Sequence, residues 1–376
     1  MDIIRPFQSL EECFGDLADP RVEGRCSHLL VEIILITVCA VLCGAENFSE
    51  VEEFGRVKEA WLKQYLSLPG GIPSHDTFSR VFRLLEGFQA RFMRWVEGTF
   101  SIKREQVIAV DGKTACGSRD SYRGQDAIHL VSAFAHKSGL LLGQRKVDDK
   151  SNEITAVPEL LKALFIKGCV VTVDALNCQK DIAQVIIDQG ADYVFALKAN
   201  HPQLHQDVVE WFAWATECDF QDIDHTFAQT VNKGHGRIEI RRLYVLSAPK
   251  ACQALAHYDG WAGLRSIAVV YRERQFPTHV QSETAYFLSS LPPDAERILH
   301  ASRAHGSVEN TFHWSLDVTF AKDASRVRLD NAPENFAVVR HIAFNLLKSH
   351  PSKASLNRKR FRAGLPRRIA YPSLMR

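Results

Sequence analysis

Two aspartates stand at the ends of short apolar runs, where an α/β sheet usually presents its reactive groups. Asp111 follows Val-Ile-Ala-Val at 107–110, and Asp174 follows Cys-Val-Val-Thr-Val at 169–173. Ligand-binding and catalytic residues gather outside the carboxyl ends of strands in such sheets. A single aspartate at this place is more often a turn or helix-cap residue, but two of them favour a shared site.

A third acid lies on a later predicted helix. Between residues 308 and 320, apolar residues recur at four-residue spacing, which is typical of one buried helix face. Glu309 borders this stripe, on a line that continues through His313 to Asp317. From that edge, Glu309 can point towards the strand ends. Asp317 and Asp323 remain alternative candidates for the third acid.

Three carboxylates in a small volume predict a bound cation, because like charges a few ångströms apart repel strongly. Oxygen-rich acidic sites suit Mg²⁺ or Mn²⁺. A pair of such ions about 3.5–4 Å apart activates a water or hydroxyl nucleophile and stabilises the leaving oxygen of an in-line phosphoryl displacement. The acids therefore predict a phosphodiester enzyme that needs neither a covalent protein intermediate nor a nucleotide cofactor.

An α/β sheet of mixed direction is predicted to position these acids. Its predicted strands are 107–110, 128–135, 140–147, 169–173 and 193–197. Predicted helices at 154–165 and 182–187 separate the later strands, as in α/β cores. A β-rich insertion is expected at about residues 200–290, before a returning helix at about 294–317. The strand candidates within the insertion are 238–246, 266–271 and 284–289.

The first hundred residues show helical patterns only and predict an all-α N-terminal domain. The apolar run 29–42 is predicted to be a buried helix, because it contains Glu32 and is shorter than the roughly 20 residues of a membrane span. A helical pattern over 48–66, a Pro/Gly break and a helix capped by Ser74 then follow. This order is compatible with a helix-turn-helix-like DNA-binding unit, although any small helical bundle gives the same pattern.

Positive charge is concentrated at the carboxyl terminus. The 376 residues include 46 Lys and Arg against 44 Asp and Glu, a net charge of +2, but residues 353–376 hold eight basic residues and no acid. This segment is either a phosphate-contacting arm or a solvated tail. The hydrophobic fraction of 46% and the charged fraction of 24% argue against a disordered chain and a membrane bundle.

The cysteines and the amino terminus indicate a cytoplasmic protein. Nine cysteines are scattered without a C-x-x-C pair, which argues against a disulfide framework and a zinc ribbon. Residues 1–13 lack the basic and apolar regions of a signal peptide. We therefore expect reduced thiols, a cytoplasmic location and no membrane segment.

A series of motifs runs in order over nearly the whole chain. They are Asp19-Pro-Arg21 with His28, Ile72-Pro-Ser-His-Asp-Thr-Phe78, Ala109-Val-Asp-Gly-Lys113, Thr172-Val-Asp-Ala-Leu176, residues 191–200, Gly234-His-Gly-Arg-Ile-Glu239, Val308-Glu-Asn310 with His313-Trp314, and Leu316-Asp-Val-Thr-Phe320. With these motifs the chain resembles the RNase H-like DDE transposases of bacterial insertion sequences. Within them it looks like the ISAs-type, or H-repeat-associated, subgroup.

The resemblance implies a division of the chain into three parts. Residues 101–350 would form an RNase H-like catalytic core that includes the β-rich insertion. Residues 1–100 would form the associated helical domain, and residues 351–376 the basic C-terminal arm.

The resemblance also implies a triad and a reaction. Asp111, Asp174 and Glu309 would be the catalytic residues and would hold two Mg²⁺ ions, for which Mn²⁺ substitutes. Hydrolysis at the ends of the element would expose a 3′-hydroxyl, which would then attack target DNA. The expected partners are double-stranded DNA, in terminal repeats and target, and further copies of the chain in a homodimer or larger synaptic complex.

Basic residues near these motifs are candidates for contacts with the DNA backbone, which position DNA without reading its bases. They are Lys113, Lys198, Arg237, Arg303, Arg358, Lys359, Arg360 and Arg362. For Lys113, a solvated turn lysine is an equal alternative.

One position departs from the subgroup, because Gly306 follows His305 where a His-Trp pair is usual. A glycine within a helix costs about 1 kcal/mol relative to alanine, and the missing aromatic would loosen how Glu309 is held. Two alternatives therefore stay open. The chain is an RNase H-like nuclease without strand transfer, or a decayed or domesticated inactive copy that still binds DNA.

Overall fold

The computed structural model describes residues 5–100, 104–124, 126–147, 153–234, 236–248 and 260–365. Its helices are α1 (Arg5–Phe14), α2 (Leu30–Cys43), α3 (Phe48–Val57), α4 (Glu59–Leu62), α5 (His75–Leu84), α6 (Phe88–Thr99), α7 (Glu153–Lys162), α8 (Lys180–Asp188), α9 (Pro202–Glu217), α10 (Ala295–Val308), α11 (Trp314–Thr319), α12 (Ala332–Ser349) and α13 (Leu356–Gly364). Its strands are β1 (Val107–Thr114), β2 (His129–Ala135), β3 (Leu140–Val147), β4 (Val170–Val173), β5 (Asp192–Leu197), β6 (His225–Gly234), β7 (Arg237–Ser247), β8 (Ser266–Gln275) and β9 (Val280–Ser289).

The strands form one mixed sheet of nine strands in the order β3-β2-β1-β4-β5-β9-β8-β7-β6. Strands β1, β4 and β5 are parallel, while β2 and β3 form an antiparallel hairpin. The sheet follows a helical N-terminal region and precedes a returning helix. The predicted α/β fold, with a mixed sheet after an all-α N-terminal region, is therefore confirmed.

The predicted β-rich insertion is not a separate layer. Strand β9 pairs antiparallel with β5, so β6–β9 extend the edge of the core sheet. The sequence pattern does not predict strand β6, whose side chains are mostly half-buried or exposed. It also does not predict helix α9, which begins at Pro202 and buries Leu204, Val208, Phe212 and Ala215. The side-chain alternation of β6 and the apolar period of α9 become clear only once the buried face of each element is known.

Two compact units interleave along the chain. One contains residues 1–102, 112–148 and 309–376, and the other contains residues 103–111 and 149–308. Strand β1 crosses this division at Asp111. The division at residues 100 and 350 expected from the sequence remains a prediction. The end of the predicted basic arm, residues 366–376, lies outside the described residues.

In the first unit, the apolar helix α2 is buried along almost its whole length, as predicted. Its charged residue, Glu32, is only 5% exposed and accepts hydrogen bonds from the backbone N–H groups of Ser67 and Leu68, at 2.7 and 3.0 Å. These bonds offset the cost of burying a carboxylate. Among the described residues, no single helix is long and apolar enough to cross a membrane, and α2 and α3, which together reach that length, meet at 94°.

The predicted helix 48–66 is two helices, which corrects the sequence interpretation. Lys58 leaves helical geometry at φ −104° and ψ 11°, so that α3 ends and the single turn α4 begins. The predicted N-cap of the next helix is confirmed, because the Ser74 hydroxyl accepts a hydrogen bond from the N–H of Thr77 at 3.3 Å. Helix α5 buries Phe78, Val81 and Phe82.

Helix α12 is the central element of this unit. Its Asn335 donates to the carbonyl oxygens of Phe82 and Leu85, both at 2.9 Å. Asn345 pairs with the backbone N–H and C=O of Leu141 on β3, at 2.9 and 2.8 Å. The N-terminal helices thus share one core with the end of the chain.

In the second unit, α10 packs against one face of the sheet. Its buried residues Ile298, Ala301 and Ala304 belong to a core that includes Val107 of β1 and Val170 of β4. We call this side the α10 face. Because side chains alternate along a strand, every second residue from Val107 and Val170 points to it.

Candidate active site

Asp111 and Asp174 lie side by side, but only Asp174 directly follows its strand, β4. Asp111 lies within β1, which continues to Thr114, so the predicted end of this strand at residue 110 is wrong. The register pairs Ala109 with Thr172 and Val110 with Val173, and the next step along both strands pairs the two aspartates. Neighbouring strands are about 4.8 Å apart. Both aspartates also lie four residues after members of the α10 core, so alternation directs both to the α10 face. Both residues are half-buried.

Asn177 fixes the carboxylate of Asp174. Its backbone N–H and its side-chain amide donate to Oδ1 of Asp174, at 3.1 and 2.9 Å. The same amide nitrogen lies 2.8 Å from Oε2 of Glu153 at the start of α7. Asn177 is buried, so these bonds are shielded from water. The pattern had not singled out Asn177, although an Asp and an Asn three residues apart after a strand is a recognisable turn signal.

His305 anchors α10 to β4 beside the two aspartates. Its Nδ1 lies 3.2 Å from the hydroxyl of Thr172, two residues before Asp174. Burial lowers the pKa of His305, and the charges of Asp111 and Asp174 oppose that shift without cancelling it. A neutral imidazole therefore joins helix and strand at neutral pH.

Glu309 directly follows α10 and is the first residue of a π-helical turn, Glu309–His313. Single π turns within helices are rare and are frequent at functional sites. The predicted line from Glu309 to Asp317 persists through this turn, since both carboxylates lie within reach of the Lys113 ammonium group. The apolar stripe itself is confirmed, since Val308, Phe312, Leu316 and Phe320 are all buried. Glu309 remains well exposed, with 69% of its side chain accessible.

Lys113 binds two of the acids that follow α10. Its ammonium group forms a hydrogen-bonded ion pair with Asp317, and it lies 3.8 Å from Oε1 of Glu309. Burial lowers the pKa of Lys113, but the bond and charge of Asp317, with the charge of Glu309, outweigh it and raise the pKa above its ordinary value. The sequence-derived alternatives for the third acid thus differ, because Asp317 is the partner of Lys113 while Glu309 is largely open to solvent.

The chemistry of these donors fits a hard divalent cation. Asp111 and Asp174 offer carboxylate oxygens side by side in the second unit. Carboxylate oxygens are the ligands that Mg²⁺ and Mn²⁺ prefer. Asn177 bonds to Oδ1 of Asp174, so the other carboxylate oxygen of Asp174 is available to such an ion.

The other predicted DNA-contact residues lie at scattered places. Lys198 is exposed directly after β5, and Arg303 is exposed on α10. Arg237 opens β7, where its Nε donates to Oε1 of Glu239 at 3.0 Å.

The basic C-terminal segment is a helix, and two of its basic residues face inwards. Lys359 is 6% exposed and donates to the carbonyl oxygens of Leu347 and His350, at 2.7 and 3.0 Å. Arg360 is 7% exposed and donates to the carbonyl oxygens of Val41, Ala45 and Thr319. These guanidinium and ammonium groups satisfy the ends of helices instead of facing solvent. Arg358 and Arg362 are exposed and keep the orientation that a phosphate contact needs.

Gly306 lies on the exposed side of α10. A Cβ atom placed on it would meet open space. The local fold does not require glycine here, so the departure from the subgroup does not arise from crowding.

Two family models match the chain. The model described as Transposase DDE domain matches residues 102–346, and the one described as DDE_Tnp_1-associated matches residues 11–96. The chain belongs to the DDE transposase family. This membership implies a divalent metal, as the donor set does.

Curated relatives match this DDE transposase over nearly its full length. The transposase-like protein YncI of Escherichia coli O157:H7 is 38% identical over 366 residues, which cover 95% of this chain and 92% of YncI. The H repeat-associated transposase-like protein YhhI of Escherichia coli K12 is 38% identical over 375 residues, which cover 98% of this chain and 96% of YhhI. Among solved structures, a piggyBac transposase synaptic complex with hairpin DNA aligns with 100% of this chain and 78% of its own, at a TM-score of 0.47 and 11% identity.

Proposed function

We propose that this DDE transposase hydrolyses a phosphodiester at the ends of an insertion sequence and joins the exposed 3′-hydroxyl to target DNA. Asp111, Asp174 and Glu309 are the catalytic residues, and they hold two Mg²⁺ or Mn²⁺ ions. The observation that carries this proposal is the register of β1 and β4, which sets Asp111 beside Asp174 on the α10 face. When bound, such ions activate the attacking oxygen and stabilise the leaving oxygen.

The chain's own residues position this chemistry. Asn177 holds one oxygen of Asp174, so that the carboxylate is oriented before the cation arrives. The contact between His305 and Thr172 fixes the end of α10, from which the chain leads directly to Glu309. The cluster of carboxylates binds cations and repels phosphate in their absence, so DNA engagement at the site depends on the metal.

DNA and further copies of the chain are the proposed partners. Strand transfer conserves the number of phosphodiester bonds and needs no nucleotide energy. Both ends of an element must be handled together, so we propose a dimer or a larger synaptic complex. Lys113, Lys198, Arg237, Arg303, Arg358 and Arg362 are proposed to contact the DNA backbone, whereas the bonds of Lys359 and Arg360 favour a structural role.

Volume-preserving changes of the triad test this function. Asp111→Asn, Asp174→Asn and Glu309→Gln should each lower Mn²⁺- or Mg²⁺-dependent cleavage of paired element ends by orders of magnitude, while folding and DNA binding persist. The three defects should be grossly non-additive, because each disables one shared site. Cleavage is measured on labelled duplexes, and calorimetric titration with Mn²⁺ reports the loss of metal binding independently.

Asp317→Asn is the matched control, since it removes the same charge eight residues after Glu309. If Asp317→Asn abolishes cleavage and Glu309→Gln does not, the third acid is Asp317. If the parent protein cleaves but never joins a 3′-end to a second duplex, it is a nuclease. If the parent protein binds Mn²⁺ but does not cleave, it is an inactive copy, and Gly306→Trp tests whether an aromatic restores turnover.

A further inference from the structure

Half of the β6–β9 extension projects beyond the core sheet. Strand β5 ends at Leu197, which pairs with Tyr286, and β9 continues past this point towards Val280. Strands β6–β8 accompany it, so that residues 229–234, 237–242, 271–275 and 280–285 form a projecting sheet. Because β9 runs antiparallel to β5, the projection lies beyond the carboxyl ends of the parallel strands. Asp174 directly follows β4, and Asp111 lies level with it on β1, so both are at the carboxyl end of β4.

Four arginines lie on one face of the projecting sheet. Cross-strand partners share a face, and the register pairs Arg241 with Arg272 and Glu239 with Arg274. Arg237 lies two residues before Glu239 and therefore also belongs to this face. We call these four residues, Arg237, Arg241, Arg272 and Arg274, the arginine surface.

The arginine surface is on the α10 face. Leu243 and Val245 follow Arg241 with the period of two, and both belong to the core under α10. Val270, two residues before Arg272, belongs to the same core. The arginine surface and the two catalytic aspartates therefore occupy the same side of one sheet.

The charges on this face do not balance. Three guanidinium groups share one carboxylate, since Arg237, Arg241 and Arg274 lie 3.0, 2.6 and 3.4 Å from oxygens of Glu239. The fourth, Arg272, lies 3.3 Å from Oε1 of Glu283. Four positive charges against two negative ones leave an excess of two on this face.

Several polar atoms of this face are also shielded and unpaired. Among the described residues, the Arg241 NH1, the Asn232 amide nitrogen and the Thr230 hydroxyl are buried atoms without a hydrogen-bond partner. Asn232 pairs across the strands with Glu239, and Thr230 pairs with Arg241, so all three lie on the arginine surface side. Two of these groups are obligatory donors, and an unpaired buried donor is costly. They add to the excess of hydrogen-bond donors on this side of the projecting sheet.

We propose that the arginine surface binds the sugar-phosphate backbone of duplex DNA next to the phosphate that Asp111 and Asp174 process. This inference rests on the proposed function. Strands β7 and β8 are three to four positions from β4, or about 14–19 Å at 4.8 Å per strand. The arginines project about 10–20 Å past the ends of the parallel strands. One turn of duplex spans about 34 Å, so a single duplex reaches both places.

Duplex phosphate is the favoured ligand because its negative charge and its oxygen acceptors complement the arginines of the surface. B-DNA presents one negative charge per about 1.7 Å of its axis. Guanidinium groups bind phosphate oxygens in a bidentate manner. Because backbone phosphates carry no sequence information, the arginine surface should bind any duplex equally well.

The opposite face of the same strands supplies the control. Arg242 and Lys233 are basic residues of β7 and β6, and each lies next to a residue of the arginine side in sequence. Alternation directs both to the other face. The test compares Arg241→Gln/Arg272→Gln/Arg274→Gln with Arg242→Gln/Lys233→Gln in the full chain. The probe is a labelled 40-base-pair random duplex, with EDTA present so that no cleavage occurs.

The triple variant should bind the duplex at least tenfold more weakly at about 0.1 M salt. The slope of log affinity against log salt should fall by about 2.7, or about 0.9 per lost contact. In the control variant, Arg242→Gln/Lys233→Gln, the same slope should fall by less than about 1. Equal slopes in both variants, or no affinity of the parent for the duplex, overturn the proposal. If the triple variant fails to fold, Arg272→Gln alone should lower the slope by about 0.9, and an unchanged slope then overturns the proposal.

The two proposals fail in distinguishable ways. If the slopes differ as expected while the parent never cleaves with Mn²⁺, the arginine surface stands and the proposed activity falls. If the triad variants lose cleavage while the slopes are equal, the activity stands and the arginine surface does not bind DNA.

Discussion

Helix α13 and the arginine surface are both rich in basic residues but place them in opposite ways. In α13, Lys359 and Arg360 turn inwards and donate to backbone carbonyl groups. On β7 and β8, basic and acidic residues are mixed in sequence, yet the register gathers four of the five arginines on one face. A count of charges along the chain therefore overstates the basic character of α13 and misses the arginine surface. Charged residues form a charged surface only where their helices or strands expose them on the same side.

The largest expected effect is on stability, and it should differ between two arginines of α13, Arg360 and Arg362. Arg360→Met should lower the free energy of unfolding by about 3 kcal/mol, because three buried carbonyl groups lose their donor. Arg362→Met, which changes an exposed side chain, should stay within about 0.5 kcal/mol. Urea denaturation followed by circular dichroism measures both. Equal losses would mean that Arg360 is no more structural than Arg362.

A buried lysine, Lys322, should make the stability of the protein depend on pH. Burial lowers the pKa of Lys322 to about 8, against the opposing charges of Asp317 and Asp323. Between this value and its ordinary pKa the unfolded chain binds more protons than the folded chain, so this lysine makes stability rise with pH. From pH 8 to pH 10, its contribution to the free energy of unfolding should grow by about 1–2 kcal/mol.

Lys322→Met should remove this pH-dependent contribution. The measurement is urea denaturation of parent and variant at several values between pH 7 and pH 10. The difference between their free energies of unfolding should shift in favour of the parent as the pH rises. A constant difference would show that Lys322 keeps its ordinary pKa when folded.

Sequence discrimination is expected from a third basic region, on α5. Arg80 is exposed, whereas Arg83 donates to Oδ2 of Asp330 at 2.8 Å. Arg80→Ala should reduce the preference for element-end over random DNA by about 1–2 kcal/mol, and Arg83→Ala should reduce it less. Competition binding measures the preference. Point variants are needed here because α12 packs on the N-terminal helices, so removing residues 1–101 would expose its core.

The smallest expected effect concerns the exposed side of α13. If Arg358 and Arg362 each contact one phosphate, Arg358→Gln/Arg362→Gln should lower the salt slope of duplex binding by about 1.8. Specific and random duplexes should be affected alike, since backbone contacts carry no sequence. An unchanged slope would leave α13 a solvated helix surface and would confine backbone binding to other regions.

The sequence by itself determined many of the local elements and the two neighbouring aspartates. Strand β3 begins and ends where the apolar pattern predicts. Asp111 and Asp174 do lie beside one another, at the carboxyl end of β4. Side-chain alternation and helical period are local properties, so they are legible without a structure. The motifs, read in order, were sufficient to identify the DDE family.

Only the tertiary structure decided which side each charged residue faces. The bond of Asn177 to Glu153 and the partner of Lys113 depend on contacts with other elements, and the apolar pattern does not predict the π turn that begins at Glu309. The pairing of β9 with β5, which joins the β-rich insertion to the core sheet, links residues about 90 positions apart. Such pairings are fixed by burial and register across the whole molecule, and no local pattern encodes them.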